Sequence, residues 1–153
     1  MNLRGNVLIA TLLVLSISCG VTNPQPAPGT ILGSGNVEVP NYIEKDYNFS
    51  SGGESYGYVT FYYFTNGWTE KKIFAPYGIQ QGSGNMAPTT GYTMDFIDVE
   101  QTKYYFFRPD SLSEGYIYGR LLITYLSEEE DNSLVSIRFD WIIQTEPNNR
   151  EFY

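Results

Sequence analysis

The sequence predicts an all-β domain, an antiparallel β-sandwich, with a small β-barrel as the alternative. All 14 Tyr, 9 Phe and 2 Trp lie between Tyr42 and Tyr153, and aromatic side chains favour pleated surfaces. Apolar and polar residues alternate in several segments, and no segment has the period of an amphipathic helix. Short strands separated by turn-forming residues are typical of sandwiches and small barrels.

The clearest strands are residues 116–126 and 134–143. In the second segment every odd position from Val135 to Ile143 is apolar, and the even positions include Ser136, Arg138 and Asp140. This alternation predicts strands with one buried face, and it places Trp141 in the core. The polar run 127–133 joins the two segments and predicts a hairpin.

Further strands are expected at residues 55–66, 71–74, 92–99 and 102–108. The first of these is apolar or aromatic on both faces, which predicts a strand covered on both sides. Residues 108–115 contain Pro, Asp, Ser and Gly, and they predict a turn before the hairpin.

The chain begins with a basic head, Met1–Arg4, and an apolar run from Val7 to Ser18. That run has about 12 residues, fewer than the roughly 20 that a helix needs to cross a bilayer. A charged head, a short apolar segment and small residues at its end predict an export signal over residues 1–18.

The only cysteine, Cys19, follows this signal directly, after Ser18. Here the chain resembles bacterial lipoprotein precursors, which carry a type II signal peptide and a lipobox; Ser18 and Cys19 match the last two lipobox positions. The resemblance implies cleavage before Cys19, attachment of diacylglycerol to its sulfur, and an anchor in the cell envelope. Gly20, in place of the aspartate that signals inner-membrane retention, favours the outer membrane or cell surface.

Residues 19–40 are expected to form a flexible tether after the lipidated cysteine. Pro24, Pro26 and Pro28 alternate with other residues, and Gly33-Ser34-Gly35 follows. Alternating prolines favour extended polyproline geometry, and Gly/Ser runs are flexible. The domain organisation is therefore a signal peptide at 1–18, a tether at 19–40 and one β domain at 41–153.

The composition excludes several activities. The chain has no histidine, so histidine-based nucleophilic catalysis and histidine-ligated zinc are absent. A formal net charge of -8 without a basic stripe argues against nucleic-acid binding. Paired carboxylates remain for a hydrolase, but Asp95 and Asp98 differ in parity and would lie on opposite faces of a strand. We therefore expect no enzyme activity and no cofactor.

Two segments are candidates for a ligand or partner surface. The tyrosine-dense strand Tyr56–Phe64 suggests a carbohydrate platform, although tyrosine in a strand is more often core. Trp68 follows Asn66-Gly67 at an expected turn and is a candidate exposed anchor. Residues 75–91 form a long connection without periodicity, and such connections are often functional. The candidates there are Tyr77, Gln80, Gln81, Asn85 and Met86.

The acidic run from Glu128 to Asp131 offers oxygen ligands of the kind that calcium prefers. Glu128, Glu129, Glu130 and Asp131 are weak metal candidates, because no Asp-x-Asp-x-Asp-Gly pattern accompanies them. A solvated hairpin tip is the competing interpretation.

The function expected from these features is a lipid-anchored envelope protein whose β-sandwich is a non-enzymatic binding or structural module. It is held to the membrane by its lipid, and its partner is a protein or a glycan. The alternatives are a module that binds glycan or calcium, or an inhibitor of a foreign hydrolase. A carboxylate-dependent hydrolase is the least favoured.

Overall fold

A computed structural model describes residues 24–153; the predicted signal peptide and Cys19 lie outside them. The described chain is all-β, with antiparallel sheets that are not closed into a barrel, and the expected sandwich is confirmed. Its strands are β1 Thr30–Pro40, β2 Ile43–Ser51, β3 Glu54–Thr65, β4 Thr69–Phe74, β5 Ile79–Gly82, β6 Ile97–Asp98, β7 Tyr104–Phe107, β8 Ser111–Leu112, β9 Gly115–Tyr116, β10 Tyr118–Glu128 and β11 Leu134–Gln144.

The strands form two main sheets. One has five strands in the order β1-β11-β10-β7-β5, and the other has four in the order β2-β3-β4-β6. The predicted hairpin is β10–β11, paired antiparallel from Tyr118 opposite Gln144 to Glu128 opposite Val135. The small hairpin β8–β9 lies within the turn expected at residues 108–115.

The predicted alternation holds through β11, whose odd positions from Val135 to Ile143 are buried. In β10 the ladder to β11 shifts register between Ile123 and Tyr125. A bulge re-aims the residues beyond it. Tyr125 is therefore exposed, whereas simple parity placed it on the buried face with Ile123.

The core between the sheets is dominated by aromatic rings. Phe49 of β2 stacks on Phe107 with centroids 5.0 Å apart and meets Trp141 edge-on at 5.3 Å. Phe61 of β3 lies 5.2 Å from Phe139. Because these residues come from both sheets, the ring contacts join the two layers, and offset or edge-on pairs of this kind stabilise beyond their buried area.

The expected tether is wrong for residues 30–40, because Thr30–Pro40 is strand β1 and pairs with β11 along its whole length. Its glycines make room for rings: a Cβ on Gly33 would overlap Trp141, and a Cβ on Gly35 would overlap Phe139. The glycines that suggested a flexible linker thus allow close packing inside a sheet. The β domain therefore includes residues before position 41.

The chain is held to the domain even before β1. Ala27 N donates to Phe152 O at 3.0 Å, and the fully buried Gln144 donates from Nε2 to Pro28 O at 3.1 Å and to Glu151 O at 2.9 Å. One glutamine side chain therefore joins the segment that enters β1 to the segment that ends the chain. Within residues 24–153, no helix has the length and apolar character needed to span a membrane.

Two other expected elements differ from the structure. The predicted strand 92–99 is reduced to Ile97–Asp98, preceded by a single bridge between Thr93 and Ile79. The long connection at 75–91 contains strand β5, which extends the five-stranded sheet by pairing with β7. Short, weakly patterned segments such as these acquire strand geometry from their neighbours, because their own sequence carries little periodic signal.

Candidate functional site

The candidate site is a row of aromatic side chains on the outer surface of the four-stranded sheet. Odd positions of β3 such as Phe61 and Tyr63 are fully buried, so the even positions point away from the core. Strand β3 is aromatic at both sets of positions, which gives the sheet an aromatic outer surface as well. We call this surface the aromatic face; its members are Tyr42, Tyr62, Phe64, Trp68, Phe74 and Phe96.

The rings of the aromatic face contact one another in sequence. Trp68 lies 5.9 Å from Phe64, and Phe64 stacks on Tyr62 at 6.4 Å with only 14° between the ring planes. Phe96 then lies 6.0 Å from Tyr62 and 5.3 Å from Phe74. Five rings thus form one continuous apolar row across strands β3 and β4, with their planes set by mutual contact.

One end of the row is open to solvent. Trp68 is 63% exposed at the turn between β3 and β4, and Tyr42 is 56% exposed while meeting Phe64 edge-on at 4.9 Å. On this side of β3, Tyr62 and Phe64 are only half-buried, against neighbouring aromatic rings. The expectation that this strand is covered on both sides is therefore wrong, because only the inner side is buried by the opposite sheet.

Charged side chains flank the rings within the same rows of the sheet. Tyr62 pairs with Glu44 of β2 on one side and with Lys72 of β4 on the other, and Lys72 pairs with Asp98 of β6. Directly paired residues point to the same face of a sheet. Donors and acceptors for hydrogen bonds therefore border the aromatic row on both sides.

No match to this chain was found. This holds for the models of known protein families, the curated proteins and the solved structures. The site is therefore interpreted from its own geometry and chemistry.

The residues that the sequence predicts as a ligand or partner surface lie in different places in the structure. Trp68 belongs to the aromatic face, whereas Tyr77 lies beside the small hairpin β8–β9, 6.1 Å from the ring of Tyr116. Gln80 and Gln81 belong to β5 and line an open cleft of about 360 Å³ beside Asp98 and Glu100.

Asn85 and Met86 contact residues 151 and 152, near the end of the chain. Asn85 O accepts from Phe152 N at 2.9 Å, and Met86 forms an antiparallel bridge with Glu151. The long connection is thus not one contact surface. Its parts are distributed over different edges of the five-stranded sheet.

The acidic run lies at the turn of the β10–β11 hairpin. The Glu128 carboxylate pairs with Lys71 Nζ and accepts from the Tyr63 hydroxyl at 3.3 Å, so it links the two sheets. Burial, followed by the nearby negative charge of Glu128, raises the pKa of Tyr63. Asp131 accepts from Ser133 N at 2.9 Å, and hydrogen bonding to Ser133 lowers its pKa. In residues 24–153 no three His, Cys, Asp or Glu side chains form a group that could hold a metal ion.

The two carboxylates considered for hydrolysis belong to different surroundings. Asp95 lies in the loop before β6 and caps that loop through Thr93, with Asp95 N donating to Thr93 Oγ1 at 3.1 Å. Asp98 is in β6 opposite Lys72, beside the aromatic face. Asp98 is therefore a candidate polar partner for a ligand on that face.

Sequence reasoning identified only part of the aromatic face. Trp68 was named from its turn, and Tyr62 and Phe64 from the tyrosine-dense strand. Tyr42, Phe74 and Phe96 were not identified, because their membership depends on strand pairing. One signal was available in the sequence. Phe74 lies two residues after Lys72, so in a strand the two side chains point to the same face, and Phe74 is an apolar residue on the polar face of β4.

Proposed function

We propose that this protein is a lipid-anchored binding module of the bacterial cell envelope, and that its aromatic face binds glycan chains. The observation that carries the proposal is the continuous row of five aromatic rings on the outer surface of β3 and β4, open to solvent at Trp68. The domain acts by binding and carries out no reaction.

Sugar rings have apolar C–H faces and polar rims. Flat aromatic rings remove the C–H faces from water, and charged or amide groups beside them hydrogen-bond the hydroxyls. The aromatic face supplies both, because Glu44, Lys72 and Asp98 stand in the same sheet row as Tyr62. The neighbouring rings of Tyr62 and Phe64, 6.4 Å apart, offer a continuous apolar contact surface to successive sugar units.

A protein partner fits this surface less well. The centres of protein–protein interfaces are depleted in charged residues. Here the middle of the row, at Tyr62, is bordered by a carboxylate on one strand and an ammonium on the next. Polar groups next to stacked rings favour a hydroxyl-rich ligand.

The lipid anchor keeps the module near its membrane. Cys19 lies eight residues before Ala27, which is the first of residues 24–153 whose backbone is bonded to the rest of the domain. An extended chain rises at most 3.6 Å per residue, so this connection spans no more than about 29 Å. With β1 part of the domain, the module is held closer to the membrane than a tether to residue 40 would allow.

The glycan assignment is tested by native gel electrophoresis in the presence of soluble polysaccharides and by sedimentation with insoluble peptidoglycan, cellulose and chitin. We expect retardation or co-sedimentation with at least one glycan, and at least a tenfold loss of affinity for Trp68→Ala and for Tyr62→Ala. Tyr125→Ala is the matched control, since Tyr125 is an exposed strand tyrosine on the five-stranded sheet. Absence of binding to the whole panel, or equal loss in the control, would contradict the assignment.

The anchor is tested separately by labelling cells with radioactive palmitate. We expect the wild-type chain to incorporate label and to begin at Cys19 in intact mass spectrometry. Cys19→Ala is expected to incorporate none. Equal labelling of the two chains would remove the anchor from the proposal and leave the glycan assignment to its own test.

A further inference from the structure

The outer surface of the five-stranded sheet carries a second feature, a groove of about 490 Å³. Its floor is formed by outward-facing residues of three adjacent strands, including Leu122 of β10, Ile142 of β11 and Tyr104 of β7. Arg120 and Asp140 stand at its two sides. We call it the Arg120 groove; it lies on the sheet opposite to the one bearing the aromatic face and does not depend on the glycan assignment.

Among residues 24–153, Arg120 is fixed in place without a carboxylate partner. Its guanidinium carbon lies 4.9 Å from the ring centroid of Tyr104 and 5.0 Å from that of Tyr153. Nη1 donates to Gly84 O and, at 3.1 Å, to Asn85 Oδ1. Within residues 24–153 the ion pairs involve lysines, and neither Nε nor Nη2 of Arg120 donates to another group. In the described residues, the half-buried guanidinium that lines the groove therefore keeps two nitrogens without a hydrogen-bond partner.

Asp140 supplies the opposite charge. It pairs with Leu122 in the ladder, while Arg120 pairs with Ile142, so the two charged residues are diagonal neighbours on one face. Diagonal neighbours in an antiparallel pair are about 7–8 Å apart. The Arg120 side chain reaches toward Gly84 and Tyr104, away from β11, and no ion pair joins it to Asp140. The groove thus has a cationic side and an anionic side, and the gap between them is longer than a single hydrogen bond.

The surface between the two charges is apolar. Leu122, Ile142 and Leu32 line it, and Leu32 is 54% exposed although it belongs to strand β1. An isolated exposed leucine needs no explanation. Here it stands beside Leu122 and two tyrosine rings, next to the buried Ile142, and these side chains offer contact area to an apolar side chain of a ligand.

We propose that the Arg120 groove binds short peptides that have free termini and apolar side chains. The peptide carboxylate accepts hydrogen bonds from Arg120 Nε and Nη2, and its ammonium group donates to Asp140. Arginine matches carboxylates with two parallel hydrogen bonds. A chain of two or three residues spans about 7–10 Å, which suits the separation of the two sides. A simple anion would leave Asp140 unpaired and close to a like charge.

The proposal is tested with the full chain in detergent micelles by 15N NMR titration with leucyl-leucine, its N-acetyl form and its C-terminal amide. We expect leucyl-leucine to shift the amide resonances of β10 and β11. Each capped form is expected to bind at least about tenfold more weakly, because it lacks one charged partner. These three ligands test the wild-type protein and need no variant to fold.

Two variants then assign the two ends. Arg120→Gln is expected to weaken the binding of leucyl-leucine at least tenfold and to remove the preference for leucyl-leucine over its C-terminal amide. Asp140→Asn is expected to remove the preference for leucyl-leucine over its N-acetyl form. Arg138→Gln is the control, since Arg138 lies on the same strand as Asp140 but stacks on Tyr125 instead. Absence of binding, or equal affinity for capped and uncapped peptides, would overturn the proposal; so would loss of the preference in the control.

Discussion

The indole ring of Trp141 occupies the space that a Cβ on Gly33 would need, with the two residues directly paired across strands β1 and β11. Phe139 stands in the same relation to Gly35, two residues further along β1. Trp141 is held in this position by Nε1, which donates to the Tyr47 hydroxyl at 3.2 Å. The glycines of β1 are therefore packing residues.

Gly33→Ala tests this relationship. Alanine normally stabilises a strand relative to glycine by about 0.5–1 kcal/mol. We expect the opposite here, a loss of about 1–3 kcal/mol in the free energy of unfolding, because the added methyl group must displace the indole ring. Urea unfolding followed by tryptophan fluorescence measures it, with Asn36→Ala, at an exposed position of the same strand, as the control. A more stable Gly33→Ala protein would show that β1 does not pack on Trp141.

Gln144→Ala is expected to loosen both ends of the domain. It removes the donor to Pro28 O and Glu151 O and the acceptor of Glu146 N, in a side chain with no solvent exposure. Each buried group left without a partner costs about 1–3 kcal/mol. The expected result is lower stability in urea and faster hydrogen exchange at residues 27–32. Gln81→Ala, on the edge strand β5, is the exposed control; unchanged exchange in Gln144→Ala would contradict the joining role.

The two tryptophans are expected to contribute very differently to the free energy of unfolding. Trp68→Ala should change the free energy of unfolding by no more than about 0.5 kcal/mol, because its ring is mostly in solvent. Trp141→Ala should cost about 3–5 kcal/mol, because it leaves a cavity against Phe49. Thermal unfolding measures both. A large loss for Trp68→Ala would mean that the aromatic face is part of the core and not a binding surface.

Tyr92 is expected to make the stability of the fold decrease at alkaline pH. Burial, opposed in part by the charge of Arg108, raises the pKa of Tyr92 to about 12. The unfolded chain ionises its tyrosines near pH 10. The contribution of Tyr92 to stability is therefore complete below pH 10 and is lost as the pH rises from 10 toward 12, because the unfolded state releases the proton first.

Tyr92→Phe isolates this effect. Within the described residues, the buried Tyr92 hydroxyl has no hydrogen-bond partner. The variant is thus expected to match or exceed the wild type at pH 7, by up to about 1 kcal/mol. Urea unfolding at pH 9 and pH 11 is expected to show a smaller decline for the variant than for the wild type. Equal declines would place the alkaline sensitivity in other tyrosines, such as Tyr105, whose pKa burial also raises.

The aromatic face could be predicted only in part. The aromatic-rich run at residues 55–66 located β3, and the Asn66-Gly67 turn put Trp68 in solvent, since both are local properties of the chain. Whether the outer rings of β3 are covered is decided by what packs on them, which no local pattern contains. Phe96 joins the row from a loop, and Tyr42 from the turn before β2, through contacts between segments distant in the sequence.

The sequence by itself determined the all-β class and the β10–β11 hairpin, because strand period and turn chemistry are encoded within a few neighbouring residues. It also determined which chemistry is missing, since a chain without histidine cannot acquire it by folding. Only the tertiary structure decided that Gly33 and Gly35 lie in a sheet, that the rings around Tyr62 form one row on its outer surface, and that Arg120 lines a groove without an ion pair to any of residues 24–153. Each of these depends on residues that pairing brings together from far along the chain, and the free energy of such contacts exists only once the sheets have packed.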